Sequence, residues 1–527
     1  MINFSANQMI ERPWLWLIGL AAVQLLFMLG GHTFWDIDEP INASCSREML
    51  EAANWLVPMF NGELRTGKPI LTYWFMLTSY SLFGVSEFSA RLPSALCITL
   101  LMLSITYFAR RLLGAKYGLI AGGLFITSLH MTVIGRAATP DAVFLLFLCT
   151  GLLAGLCYCV EEFKPKNILW LAYACFGIAV LAKGPVAIAM PGMVLATWLL
   201  LTGNLRQWPS FHIGRGLLII FALALPWYIA VWLQTDGEWV ERFLITDNVG
   251  RFLAPMEGHK GFPGFYLLSL LLGLFPWTGI LIGTLIHSVW RPSLLKQQPM
   301  RAFLISWIGV FFIFFTIART QLPNYMLPVM PALILLMAMW LRDTAQETVN
   351  RYLLWSAGII SAALLIGGGF ALQHQWPGDW YYAFSFLPVL LAVLIAWRQQ
   401  EKSLQLITAG MVMMVIILAS WALPGIDRHK ASRTLAQSAA EAGYAKGSLA
   451  GYRYFQPSML FYHGNNTLPV LVTPEELLEW LGQKRVAVVP ERYMAELSPE
   501  IQAKLNVIKR AYGLYARQDL LLVNLQQ

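Results

Sequence analysis

Residues 32–69 read HTFWDIDEPINASCSREMLEAANWLVPMFNGELRTGKP. The stretch follows an apolar run, Trp14–Gly30, yet it carries Asp36, Asp38, Glu39, Arg47, Glu48, Glu51, Glu63, Arg65 and Lys68. Only 13% of the 527 residues are charged, so this density marks the stretch out. Ser44 to Ala53 has the spacing of a short amphipathic helix, with Met49, Leu50 and Ala53 on its apolar face. Such a helix is predicted to lie along a membrane surface. Charge beside a bilayer is costly unless it is used. The stretch therefore reads either as a site or as a solvated loop between two spans.

The rest of the chain supports the membrane setting. It is 57% hydrophobic, with 21 Trp, 30 Phe and 21 Met. Soluble domains do not repeat apolar runs of about 18–22 residues; polytopic helical membrane proteins do. Spans are predicted at 14–31, 92–112, 117–134, 140–160, 167–182, 185–202, 213–233, 264–288, 301–317, 324–341, 352–372, 381–397 and 404–423, thirteen in all. The first run lacks a small-residue cleavage site and reads as a retained span, not a signal peptide. Residues 70–84 are apolar but short, and read as a re-entrant or surface-lying helix.

Alternate loops are basic: Arg110, Arg111 and Lys116; Lys164 and Lys166; Arg206 and Arg215; Arg291, Lys296 and Arg301; Arg342 and Arg351; Arg398 and Lys402. Positive loops face the cytoplasm, which places the N-terminus there and the C-terminus outside. Under this topology the first loop (32–91) and the long loop (234–263) face out. These and the shorter outer loops hold Arg47, Lys68, Arg136, Asp141, Lys183, Arg242, Arg251, His259, Lys260 and Arg319. Cations on the outer side, set against membrane, suit a bound phosphate.

Residues 1–425 thus form a membrane domain, and 426–527 a small soluble α/β domain outside it. There, helix-like stretches (Ala431–Ala442, Pro474–Leu481, Pro499–Leu505) alternate with strand-like ones (Leu468–Val472, Arg485–Val489, Leu520–Val523). His463, in FYHGNN, reads as a structural loop residue. The net charge of +8 is no argument for nucleic acid, since basic residues in a membrane protein first report topology. The six cysteines have no metal-site spacing and read as small core residues.

The residues Asp38-Glu39, Ser46-Arg47-Glu48-Met49 and Lys68-Pro69, continuing to Pro93, resemble a known family. So do Thr139-Pro140-Asp141, Asn248-Val249-Gly250-Arg251-Phe252 followed by His259-Lys260, and Leu322-Pro323-Asn324-Tyr325. The chain resembles bacterial membrane glycosyltransferases of the GT-C type, in the ArnT-like branch that includes aminoarabinose transferases and protein-mannosyltransferase-like enzymes. The resemblance departs at two places. Pro40-Ile41-Asn42 stands where the aminoarabinose branch has Arg-Tyr, and Gly67 stands where that branch has Glu before Lys-Pro. That Glu and the outer-loop His are associated with a metal, so the departure argues against a divalent metal at His259. No other cofactor is implied.

The resemblance implies a polyprenyl-phosphate sugar donor, with undecaprenyl the usual bacterial carrier, at the outer face of the inner membrane. The acceptor is a lipid, glycan or protein. Transfer leaves a phosphate whose charge grows in the transition state, and cations placed beforehand stabilise it. Lys68, Arg251 and Lys183 are candidates, with Tyr325 and Arg319 as further phosphate contacts. A hydroxyl acceptor needs a base, for which Asp38 is the first choice, with Asp141 and Glu39 as further carboxylates. A phosphate acceptor is already anionic and needs none.

Each residue has a plainer reading. Lys68 suits a snorkelling interfacial lysine, Asp141 a helix cap, Glu39 a solvated side chain and Tyr325 an interfacial anchor. A lipid-linked sugar transporter is a rival of a different class, but it would show two related halves, and no internal repeat is visible. A membrane scaffold is a third, and it would not require Asp38, Lys68, Asp141 and Arg251 together.

Overall fold

The computed structural model describes residues 13–161, 165–250, 262, 264–288, 295 and 297–526, without the side chains of 248, 249 and 288. Nine helices among the described residues are long and apolar enough to cross a membrane. A tenth crossing is made if Ala115–Ile126 and Leu129–Gly135, bent by 64°, count as one broken span. Pro13–Leu26, Val186–Thr202 and Thr278–His287 are apolar but shorter. Each of the thirteen spans predicted from the sequence overlaps helix, but among the described residues nine or ten, not thirteen, are long enough to cross. The run 264–288 is divided around Pro276, which has no N–H to continue a helix, into Phe265–Gly273 and Thr278–Ser288.

The chain forms two compact units. The first comprises residues 13–27, Thr66–Thr72 and Pro93–Leu418 among those described. Helix Pro323–Asp343 is its most enclosed span, with 83% of its apolar window buried against 22% for Gln346–Gln375. Arg111 pairs with Glu161, which holds the end of helix Glu87–Leu113 beside the end of helix Pro140–Val160.

The second unit comprises Met28–Arg65, Tyr73–Leu92 and Ala419–Gln527. The C-terminal residues thus share one compact body with most of the first loop. Its five-stranded sheet runs Val470–Leu471, Leu449–Tyr452, Val486–Pro490, Gln518–Leu525, Leu505–Gly513 in spatial order. The first three strands are parallel and the last two antiparallel to their neighbours. Alternation along Val486–Pro490 sends Val486 and Val488 to one core, with Leu435 and Leu460, and Ala487 and Val489 to the other, with Leu477 and Leu481. Helix Pro474–Gly482 starts at a capping box between Thr473 and Glu476.

Three sequence expectations are corrected here. Strand Leu449–Tyr452 was not expected, because it is buried on both faces and shows no alternation. FYHGNN is not all loop, since His463 ends helix Pro457–His463 and is buried. The helix in the charged stretch starts at Asp38, runs to Glu51 and buries ten of its 14 residues, so it is a packed element and not a helix lying on a membrane. The helix at 71–83 is confirmed as too short to cross.

Candidate functional site

Thr139 is extended and Pro140 opens helix Pro140–Val160, which fixes Asp141 in the first turn. Helix Lys166–Lys183 ends on Lys183 because Gly184 follows with φ +76°. A Cβ at Gly184 would also lie 2.6 Å from the Phe243 ring, so the turn admits glycine alone. The Lys183 Nζ donates to Asp141 Oδ1 at 2.5 Å and sits 5.1 Å from the Phe144 ring centroid. Asn324 Nδ2 donates to the other carboxylate oxygen at 3.2 Å. Asp141 is therefore spent on orienting Lys183 and Asn324. It is placed neither as a cap for its own helix nor as a free base.

Lys183 opens onto a cavity of about 580 Å³. Gly67, Lys68, Asp247, Asn324 and Tyr325 also line it, beside an apolar wall that includes Phe144, Phe243, Phe311, Phe314 and Phe315. Thr66 donates to Asp247 at 3.0 Å, which fixes the segment carrying Lys68. Pro185 and Val186 bring the positive end of helix Val186–Thr202 to the same wall. One Asp141 contact leaves two of the three Lys183 ammonium donors for a ligand. Two lysines, an amide and a phenol over an apolar channel can hold a phosphate carried on a lipid.

Arg319 is exposed and does not line this cavity, although Ala318 and Thr320 on either side of it do. Arg251, His259 and Lys260 lie outside the described residues. Asn324 and Asp247 were given no role from the sequence. Asn324 stood inside a quoted motif, and Asp247 carried no signal of its own.

Asp38 and Glu39 belong to the second unit. Asp38 is exposed at the first residue of its helix. Glu39 is buried and meets Arg91 through both oxygens, at 2.8 Å and 2.9 Å. It also accepts from the Trp35 amide. Arg91 spends its remaining donors on the carbonyls of Leu29, His32 and Thr33. Glu39 is thus neither solvated nor available as a base; it anchors the start of the loop. Arg47 is likewise not a phosphate ligand. It caps the C-terminal carbonyls of helix Pro457–His463 at Leu460 and Phe461, and reaches the Asn465 carbonyl. In the first unit, Arg136 is used on the carbonyls of Gln24 and Leu25.

Residues 67–230 match the family described as dolichyl-phosphate-mannose-protein mannosyltransferase. With the helical membrane fold and the cation-lined cavity, this defines an integral-membrane glycosyltransferase. The undecaprenyl phosphate-alpha-4-amino-4-deoxy-L-arabinose arabinosyl transferase of Aeromonas hydrophila is 30% identical over 417 residues, covering 76% of this chain and 75% of the relative. That of Edwardsiella ictaluri is 30% identical over 361 residues, and the chain spans 64% of its length. The crystal structure of ArnT from Cupriavidus metallidurans bound to undecaprenyl phosphate shares the fold, with a TM-score of 0.82 at 21% identity over 98% of this chain and 99% of that one. The chain belongs to the ArnT-like family of membrane glycosyltransferases.

Proposed function

We propose that this enzyme takes a sugar from undecaprenyl phosphate and passes it to a lipid or glycan acceptor at the periplasmic face of the bacterial inner membrane. The nearest named activity is transfer of 4-amino-4-deoxy-L-arabinose to lipid A. The observation that carries the reading is Lys183, held by Asp141 at the mouth of an apolar cavity that Lys68 and Tyr325 also line. The basic loops support a cytoplasmic N-terminus and a periplasmic 426–527 domain.

The donor's phosphate sits at Lys68, Lys183 and Tyr325, with its isoprenoid chain along the phenylalanine wall. The acceptor oxygen attacks the anomeric carbon from the opposite face in a single inverting displacement. The bond from that carbon to the phosphate oxygen breaks, and its electron pair stays on the phosphate. The two lysines stabilise the growing charge in a poorly screened site. An acceptor hydroxyl gives its proton to a carboxylate, for which Asp38 is the candidate; an acceptor phosphate has none to give.

One observation favours a second reading, transfer of another sugar to protein or a surface polysaccharide. Gly67, where the aminoarabinose branch has Glu, lines the cavity itself. The test is to offer the purified protein a panel of undecaprenyl-phosphate sugars with lipid A and crude envelope glycans, reading products by mass. An aminoarabinose-sized gain on lipid A supports the first reading, and a gain on another acceptor the second. If no donor is consumed, both are discarded, and lipid translocation in liposomes tests the transporter class.

A further inference from the structure

Among the described residues that line the phosphate cavity, Lys68, Lys183 and Asp247 carry charge, and Asp247 is the acid. An acid works against a phosphate ligand by like-charge repulsion, the more so beside an apolar wall. Lys183 has its carboxylate partner in Asp141, which does not line the cavity. The Thr66 hydroxyl donates to Asp247, but that bond calls for an acceptor and not for a charge. An asparagine oxygen would serve Thr66 as well.

Asp247 is held from both sides within the first unit. It stands in the helical segment Arg242–Gly250, whose start is set by packed rings. Phe243 stacks on the fully buried Trp239 with 5.1 Å between centroids, and Trp239 meets the Trp227 ring edge-on at 4.9 Å. The Phe243 ring also lies against Gly184, the residue after Lys183. On the other side, Asp247 Oδ2 accepts from Thr66 Oγ1 at 3.0 Å, two residues before Lys68. Two residues of chain span at most about 7 Å, on the order of one pyranose ring with its substituents. Gly67, between them, lines the cavity and brings no side chain into it. Thr66 uses one of the roughly four acceptor sites of a carboxylate.

We infer that Asp247 reads the donor's sugar, accepting a charge-assisted hydrogen bond from a protonated amine across the ring from the anomeric carbon. The inference rests on the polyprenyl-phosphate reading above and narrows its sugar to amino sugars, of which 4-amino-4-deoxy-L-arabinose is one. The phosphate lies at the lysines and the ammonium at Asp247, so the two ends of the sugar meet opposite charges. A neutral sugar of the same shape leaves the carboxylate facing the phosphate with a hydroxyl alone to offset it. Asp247 therefore selects by penalty against the wrong sugar as well as by attraction to the right one.

The experiment measures binding of undecaprenyl-phosphate 4-amino-4-deoxy-L-arabinose and undecaprenyl-phosphate L-arabinose to the parent, Asp247→Asn and Asp247→Glu, with thermal unfolding of each preparation. A charge-assisted bond in place of a neutral one predicts about tenfold tighter binding of the amino sugar by the parent. Asp247→Asn keeps an acceptor for Thr66 and should bind the two sugars alike, whereas Asp247→Glu keeps the charge and should retain part of the preference. The parent's preference should also fade as the pH rises through the pKa of the sugar's amine, a readout that needs no folded variant. Equal or weaker binding of the amino sugar by the parent, a preference independent of pH, or a folded Asp247→Asn that discriminates as the parent does, overturns the inference. A parent that binds neither sugar, nor any other undecaprenyl-phosphate sugar, overturns the polyprenyl-phosphate reading beneath it.

Discussion

Replacing Lys183 separates a catalytic lysine from a merely structural one. On the proposed mechanism, Lys183→Met removes a cation that faces the charge developing on the leaving phosphate. Loss of one such group costs about 10²–10³ in rate, or about 3–4 kcal/mol of transition-state stabilisation. The same change leaves Asp141, with its side chain 6% exposed, with the Asn324 hydrogen bond and the more distant Lys68 charge. Stripping one partner from a buried ion pair costs about 3–5 kcal/mol of stability. The single variant therefore confounds two effects. The double variant Lys183→Met/Asp141→Asn removes the stranded charge, and should recover most of the melting temperature while the transfer rate stays down by about 10²–10³. The assay is transfer from the undecaprenyl-phosphate donor, read by mass, alongside thermal unfolding of the same preparation. A double variant that regains the parental rate would refute the assignment, because the lysine would then serve only to neutralise Asp141.

Other expectations follow from the second unit. Arg91→Leu strands Glu39 in a buried site and should destabilise this unit by about 3–5 kcal/mol, whereas Glu39→Gln keeps part of the hydrogen bonding and should cost less; thermal melts compare them. Burial, with Arg91 nearby, lowers the His32 pKa from 6.5 to about 4. The unfolded chain then binds a proton that the folded state refuses, so stability is full above pH 6.5 and falls as the pH drops towards 4. The loss is at most about 3 kcal/mol, and His32→Asn should flatten it. Asp38→Asn should slow transfer to a hydroxyl acceptor by about 10²–10⁴ and leave transfer to a phosphate acceptor within a few-fold. Equal losses on both acceptors would remove Asp38 as the base.

The spans were legible because burial in lipid imposes a length and a composition that a single sequence displays. The Thr139-Pro140-Asp141 turn and the Lys183-Gly184 break were legible for a similar reason, since proline and glycine fix the ends of helices locally. Charge alone did not tell the cavity-facing cations from the structural ones. Arg47, Arg91 and Arg136 are used on carbonyls or a carboxylate, and the carbonyl partners of Arg47 lie more than 400 residues away in sequence. Lys68 and Lys183 reach a cavity, which only the packing of distant helices creates. Asp247 and Asn324 entered the site the same way, one through Thr66 and the other through Asp141. In the C-terminal residues the strand Leu449–Tyr452 was hidden because both of its faces are covered. Leu505–Gly513 was hidden because its burial alternates irregularly around the shift between Val507 and Lys509.

On the proposed mechanism Lys68 and Lys183 hold the phosphate of a lipid-linked donor. Binding of undecaprenyl phosphate and of undecaprenol, measured on the parent and on the Lys68→Ala/Lys183→Met/Asp141→Asn variant, tests it most directly. The parent should bind the phosphate about tenfold or more tightly than the alcohol, as one or two charge-assisted contacts require. The variant should bind both alike, with the alcohol held as in the parent. A variant that still prefers the phosphate as strongly as the parent would rule out these two lysines and move the phosphate site elsewhere in the chain.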